Sequence, residues 1–403
     1  MHMALAAGAR DGLRLERQHR EVIGEPPAAE DGIEAGGKQR RLLHGAVERI
    51  GLPGSTLTVN SAHDIRPTQV QWSARADPVA QLLKWLEASD WFASIGAVGH
   101  RVVHGMSHAR PEKITAKLIA RLREIVPYDS EHLPREIQLI EAFVARYPHL
   151  PQLACFDTSF HAGMPQVAKR LSLPRRYASR GVRRYGFHGL SYSYLAQELR
   201  RLDVRGARGK VILAHLGNGA SLAALRSGKP VDTTMGFTPA SGLVMGTRSG
   251  DLDPGLPYYL ARVAGLSAAQ FQRMVNHESG LRGISGTSAD MRDLCGRAKR
   301  DRRAAEAIEL FCYQVVKAVG AFTAVLGGLD TLVFSAGIGE HSPEIRARIC
   351  RGLAFAGVRL DGARNRRNAP LISTASSAVK VRVIRTDEEL MIARAVAAIT
   401  KQR

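Results

Sequence analysis

Apolar positions in the first forty residues follow no period; Ala, Gly, Arg and Glu dominate, with neither alternation nor a helical stripe. Foldable pattern begins near Arg41. Thr56-Leu57-Thr58-Val59 alternates as a strand does. Across Asp77–Ala93, Val79, Leu82, Leu83 and Leu86 recur at helical spacing. Thr115–Ile125 reads as a helix, and so does Pro134–Tyr147, with Ile137, Ile140, Phe143 and Val144 on one face. Ile95–Val98 is a short apolar run ahead of His100-Arg101-Val102-Val103-His104-Gly105, and Gln152–Phe156 is a buried-type strand ending at Asp157.

The second half repeats a strand–glycine–helix order. Val211–Ala214 runs into His215-Leu216-Gly217-Asn218-Gly219, and Thr331–Phe334 runs into Gly337-Ile338-Gly339-Glu340. Ser342 is the expected cap of a helix opening on Pro343. In Val379–Ile384 three valines alternate with Lys380 and Arg382, and a helix is expected over Glu388–Ile399. Short buried strands alternating with helices make this an α/β protein. No fixed-period repeat occurs, which excludes a solenoid.

A length of 403 residues exceeds one ordinary core, so two domains are expected. Lys and Arg number 57 against 37 acidic residues, a net charge of +20. That charge permits a nucleic-acid partner, whose affinity would fall steeply with salt. It is scattered, however, with local clusters only at 299–303 and 364–367, and neither interleaves aromatics as a single-strand platform does. The expectation is no specific nucleic acid. The chain contains no run of about 18 apolar residues, so no membrane partner is expected either. Cys155, Cys295, Cys312 and Cys350 are scattered without a CxxC pair, which fits a reducing cytoplasm. The first 30 residues hold no apolar signal-type stretch.

Glycine turns after buried strands serve either a tight chain reversal or a close approach to phosphate oxygens. There is no GxxxxGK[ST] and no GxGxxG after a first strand, which argues against P-loop and Rossmann sites. Three loops carry cationic or imidazole groups: His100–Gly105, Tyr185–Gly189 and Met245–Asp251. Together with the glycine turns they point to phosphoryl transfer, which needs positioning and positive charge around the moving group.

The stretches HRVVHG (100–105), CFDTSFH (155–161), RRYGFHGLS (183–191), AHLGNGAS (214–221), MGTRSGDLDPG (245–255), GLRGISGTSADMRDL (280–294), GIGEHSPEIR (337–346) and RTDEELMIAR (385–394) keep one order and spacing. With VDTTMGFTP (231–239), they make the chain resemble the acetate kinase family over about residues 41–403. The resemblance implies two RNase H-like α/β domains of the acetate and sugar kinase/Hsp70/actin type around a cleft. The implied division is 41–161 for the carboxylate side, 162–389 for the nucleotide side, and 390–403 as a C-terminal helix returning to the first domain. It implies reversible, in-line transfer of the ATP γ-phosphoryl to acetate, giving acetyl phosphate and ADP, with Mg²⁺, in a homodimer. Propionate or another short carboxylate is the alternative substrate.

Matching residues carry the implied roles. Arg101 would hold the substrate carboxylate, and Val103, Phe187 and Pro239 would line the pocket for its methyl group. Asp157, His188 and Arg248 would be catalytic. His215, Leu216, Gly217, Asn218 and Gly219, then Asp290, Met291 and Arg292, then Gly337, Ile338, Gly339, Glu340 and His341 would contact nucleotide. Glu388 would be the magnesium-associated carboxylate.

The chain also departs from the family pattern. The opening NxGSSSxK motif is missing from residues 1–40. Permitted codons for Glu16–Glu25, read one base on, give Ser-Val-Asn-Thr-Gly-Lys-Ser-Ser-Val, so one reading is a mis-framed segment and the other a true divergent N-terminus. The expected consequence is a lost opening strand and a catalytically impaired nucleotide-binding relative. Met106 and Ala336 stand where glycine is usual, His341 where asparagine is, and Tyr192 where histidine is. Val126-Pro127-Tyr128-Asp129 replaces an apolar-His turn beside the acyl pocket.

Overall fold

A computed structural model of the chain describes residues 3–7, 43–48, 56–61, 68–71, 77–89 and 92–400. In chain order the strands are β1 (Met3–Ala7), β2 (Leu43–Glu48), β3 (Thr56–Ser61), β4 (Thr68–Gln71), β5 (Ile95–Val102), β6 (Glu112–Lys113), β7 (Gln152–Phe156), β8 (Lys210–Leu216), β9 (Ala220–Arg226), β10 (Lys229–Thr233), β11 (Thr331–Ser335) and β12 (Lys380–Val383). They form three sheets, ordered β1-β5-β7-β6, β10-β9-β8-β11-β12 and β2-β3-β4. The chain divides into two compact units, one of Leu5–Ala97 with Gln138–Leu150, the other of His2–Ala4, Val98–Ile137 and Pro151–Arg403.

In the first unit, β2, β3 and β4 form an antiparallel meander. Leu57 and Val59, the apolar members of the alternating stretch, are buried beside Leu82 and Trp85. Those two belong to helix Pro78–Glu87, whose cap Asp77 accepts from Val79 N and Ala80 N. Glu87 closes the far end, accepting from Arg146 Nε and from the Tyr147 hydroxyl, each at 2.7 Å.

In the second unit, β8, β11 and β12 run parallel, and β9 and β10 add an antiparallel edge. A strand covered on both faces sends successive side chains to two cores. Ile212, Ala214 and Leu216 of β8 join one core with Phe311, Val315 and Val319 of helix Arg302–Leu326. Val211 and Leu213 join the other, with Tyr192, Leu195 and Leu199 of helix Gly189–Leu202. Helix Arg302–Leu326 is long and apolar enough by composition to cross a membrane, but its stripe from Ala304 to Leu326 lies in this core. The β9–β10 reversal falls on Ser227 and Gly228, both at positive φ (52° and 74°), which matches the right-handed twist of a hairpin.

Most expected elements are present within a residue or two: Ala116–Glu124, Leu133–Arg146, Gln152–Phe156, and Glu388–Thr400. Met3–Ala7 lies beside β5 at the sheet edge; the expected loss of the family's opening strand and motif concerns a stretch that lies largely outside the described residues. The mis-framed segment proposed at 16–25 lies outside the described residues. One expectation needs correction. Helix Pro343–Gly352 starts where expected, but Ser342 makes no side-chain cap; its backbone N–H donates to Ile338 O and ends the preceding helix.

Two departures from the family pattern have a physical cost. Met106 (φ 50°) and Ala336 (φ 62°) both occupy the left-handed region that glycine adopts freely. A Cβ there costs on the order of 1–2 kcal/mol.

Candidate functional site

All the residues described next lie in the second compact unit. Parallel pairing sets Arg101 on β5 opposite Cys155 on β7, so Asp157 just beyond β7 comes level with the guanidinium. Asp157 Oδ2 accepts from Arg101 Nη2 at 2.6 Å and from Nε at 3.0 Å. Glu388, the first residue of the C-terminal helix, brings Oε2 to 3.7 Å from Arg101 Nε. Asp157 is fully buried and Arg101 is 17% exposed, so this pair is sheltered from solvent screening. Burial opposes the charge on Arg101, but Asp157, Glu388 and Glu136 outweigh it and hold its pKa above the ordinary value.

Glu136 Oε2 accepts from Val103 N at 3.0 Å. Burial pushes this carboxyl up to about 8, against the pull of the Val103 N–H and Arg101. A raised folded-state pKa means the fold prefers the protonated acid. Its contribution is fully present below the unfolded value near 4.5 and is lost as pH rises through about 8. Glu136→Gln, which keeps the acceptor without the charge, is therefore expected to flatten the fall in melting temperature between pH 5 and pH 8.5. An unchanged pH slope in thermal melts would refute this.

His188 sits between Phe187 and Gly189 in a left-handed conformation (φ 58°) as the N-cap of helix Gly189–Leu202. Gly189 is required here, since a Cβ on it would lie 2.0 Å from the Asp157 carbonyl oxygen. The helix repeat then places Ser191 and Tyr192, three and four residues on, on the face of His188. The β8–β9 register places His215 opposite Ser221 on a facing surface. The two periods interlock. Ser191 Oγ meets His215 Nδ1 at 2.8 Å and Thr386 Oγ1 at 2.8 Å. Ser221 Oγ meets His188 Nδ1 at 2.8 Å and also the Tyr192 hydroxyl. The His188 and His215 rings stack at 4.2 Å. Burial, then His215, Arg101 and Arg248, hold the His188 imidazole well below its ordinary pKa, so it is neutral at pH 7.

Arg248 approaches from a separate loop. Its Nη1 donates to Pro239 O at 3.2 Å and its Nη2 to His132 Nε2 at 3.4 Å. Because arginine only donates, His132 Nε2 accepts, and its Nδ1–H goes to Asp129 Oδ1 at 2.8 Å. Gly246 N, donating to Asn218 O at 3.0 Å, latches this loop to the β8–β9 turn. The three elements converge on Gly219. A Cβ there would lie 3.2 Å from His188 Nε2 and 3.6 Å from Arg248 Nη1.

The other expected nucleotide segments group at the carboxyl ends of β8 and β11, where open α/β sheets bind ligands. His215 is registered with Ser335, and a Cβ on Gly217 would lie 3.4 Å from Ala336 Cβ. Gly217–Gly219 is a hairpin turn, while Ala336–His341 is a short helix. Leu216 and Met291 point into the apolar core, so only their backbones face outward. Glu340 also turns inward, accepting from Ala336 N at 2.7 Å and Thr386 N at 3.1 Å, which ties this turn to the segment before Glu388. Buried Arg346 donates to Gly339 O and Glu340 O and fixes the same turn from below. His341 is largely exposed. Asp290 caps helix Met291–Arg297 and pairs with Arg292 at 2.6 Å.

Val103 and Phe187 share one apolar cluster, with Phe237 packed on it. Pro239 is buried nearby in sequence and joins through its carbonyl to Arg248. Tyr128 lays its ring 5.3 Å from Phe237 and 5.8 Å from His104, and its hydroxyl donates to Arg180 O. Sequence reading missed Glu136, His132, Ser191, Ser221, Glu340's inward role and Thr386, because each acts through a partner distant in the chain.

Among the described residues no group of three or more His, Cys, Asp or Glu forms a metal cage. Asp157 and Glu388 are nonetheless two hard oxygen donors beside one guanidinium. That donor set suits a divalent ion taking its other oxygens from water and phosphate.

Comparison with known proteins gives a consistent result. The acetokinase family model matches residues 32–394. An acetate kinase of Rhodopseudomonas palustris is 47% identical over 324 residues, 79% of this chain and 80% of that one. An acetate kinase of Methylocella silvestris is 41% identical over 397 residues, 98% of this chain and 94% of the other. The crystal structure of a propionate kinase from Francisella tularensis superposes with a TM-score of 0.83 at 34% identity, covering 89% of this chain and 93% of that one.

Proposed function

The chain belongs to the acetokinase family, and from that premise we propose that it transfers the γ-phosphoryl group of ATP to acetate, reversibly, giving acetyl phosphate and ADP. A carboxylate oxygen attacks Pγ in line as the bond to the β,γ-bridging oxygen breaks, and the electron pair leaves with ADP. The observation that carries the reading is the convergence of His188 Nε2 and Arg248 Nη1 at Gly219. A transferring phosphoryl group spreads its charge over three equatorial oxygens, and donors fixed in advance lower the barrier without reorganising.

Arg101 receives the substrate carboxylate in this reading, with Asp157 holding the guanidinium in plane. Val103, Phe187 and Pro239 enclose the methyl group, and the turns at 215–219, 290–292 and 337–341 carry the nucleotide. Asp157 and Glu388 would hold Mg²⁺, which when bound neutralises phosphate charge. The homodimer and the cytoplasmic setting rest on the resemblance. The impaired nucleotide-binding relative stays the alternative to an active kinase, and the missing motif on which it rests falls outside the described residues.

Propionate is the second reading, since the apolar-His turn is replaced by one carrying Tyr128, which packs on Phe237 of the acyl-side cluster and changes its shape. One methylene changes kcat/KM by about 10–200-fold in a fitted pocket. Trapping acyl phosphate as the hydroxamate, with acetate, propionate and butyrate at fixed ATP, is expected to rank acetate first and butyrate last. ATP-dependent hydroxamate from none of the three would overturn the proposal, and propionate ranking first would replace acetate with the second reading.

A further inference from the structure

We propose that Tyr192 is a positioning residue for phosphoryl transfer: through Ser221 it fixes His188 with its proton on Nε2, aimed at the transferring group. This rests on the kinase reading above and concerns a residue that departs from the family pattern.

Tyr192 is fully buried, and its surroundings are aromatic: Phe160 at 5.8 Å, His161 at 5.6 Å and His215 at 6.4 Å between ring centroids. The Ser221 hydroxyl is the polar partner the structure gives its phenol. A buried phenol has one hydrogen to place, and leaving it unbonded is costly. Tyr192 O–H therefore donates to Ser221 Oγ. Ser221 in turn has one hydrogen, and its other neighbour is His188 Nδ1 at 2.8 Å. The serine donates to Nδ1, which must then be the unprotonated nitrogen. Neutral imidazole carries its proton on the other nitrogen, so Nε2–H is the donor that faces Gly219 and Arg248. Reversing the chain would leave the phenol hydrogen without an acceptor and present a lone pair to a phosphoryl oxygen, which repels it.

Neighbouring bonds do not compete for these groups. Ser191 bonds His215 and Thr386, and His161 donates through Nε2 to Phe187 O at 2.9 Å. Tyr192 and Ser221 thus reach the reaction only through His188.

The test uses the full chain labelled with ¹⁵N-histidine, with His188→Gln to assign the resonance. Long-range ¹H–¹⁵N spectra are expected to show His188 as the Nε2–H tautomer. Tyr192→Phe keeps the ring and its packing but removes the donor; a population with the proton on Nδ1 is expected to appear, as it is in Ser221→Ala. For Tyr192→Phe, kcat is expected to fall about 10- to 100-fold, with KM for ATP and for acetate within about twofold and an unchanged circular dichroism spectrum. A purely packing role would move neither the tautomer nor kcat alone. A wild-type His188 protonated on Nδ1, or a Tyr192→Phe variant that keeps the wild-type tautomer or kcat, overturns the proposal. The spectra need no turnover, so a chain that makes no acyl phosphate counts against the kinase reading while the tautomer still decides the role of Tyr192.

Discussion

Replacing Arg248 by alanine is expected to lower kcat for acetyl phosphate formation by about 10³–10⁵, the range for a guanidinium that stabilises a phosphoryl transition state. The size follows from how the side chain is held. Pro239 O and His132 Nε2 accept from it, and neither is an anion. Among the described residues no carboxylate lies within ion-pair distance, so its charge is left for a ligand. Burial lowers its pKa, yet an arginine starts so high that it stays charged at pH 7. Arg248→Lys retains a cation but not the fork, and is expected to recover only part of the loss. Steady-state kinetics with a coupled ADP assay measure both. A loss under tenfold in Arg248→Ala would remove Arg248 from the transition state.

The second large effect falls on stability. Arg101→Leu leaves the fully buried Asp157 carboxylate without its 2.6 Å partner. Breaking a buried pair from one side costs about 3–5 kcal/mol, because the remaining charge stays desolvated. Adding Asp157→Asn removes that charge, so the double variant is expected to be more stable than Arg101→Leu alone by most of that amount. Both variants lose activity, so denaturant melts rather than kinetics decide the matter. If the single and double variants melt together, the pair is not a coupled unit, and Glu388 at 3.7 Å carries the balance instead.

Much of the second unit was legible because its patterns are local. The run Gln152–Phe156 reads as a buried strand from five residues, and the strand is those five. The alternation of Val379, Val381 and Val383 marks β12 for the same reason. Helices Gly189–Leu202 and Arg302–Leu326 were not foreseen. The second does carry a 3.6-residue stripe, Ala304, Ala307, Ile308, Phe311 and Val315 onward, with Glu306, Glu309 and Lys317 on the other side, so its period was present and went unread. At Ser342 the boundary was right and the capping bond was not, because a cap depends on a side-chain rotamer that sequence does not set.

Residues on motifs were legible; residues that hold them were not. Arg101, Asp157, His188, Arg248 and Glu388 could be named from the chain because each sits in a stretch with family order. Glu136 could not, since its place beside Val103 depends on a helix that begins 30 residues later. His132 reaches Arg248 across 116 positions, and Ser191 reaches Thr386 across 195.

The sequence by itself determined the family and the α/β class, and it named the candidate site residues, because composition, period and motif are properties of short stretches. Only the tertiary structure decided which groups are buried, which hydroxyls and imidazoles meet, and which carboxylates are spent on backbone. Those properties depend on desolvation and on hydrogen-bond direction. Both are set by neighbours that the fold brings within 3 Å from anywhere in the chain.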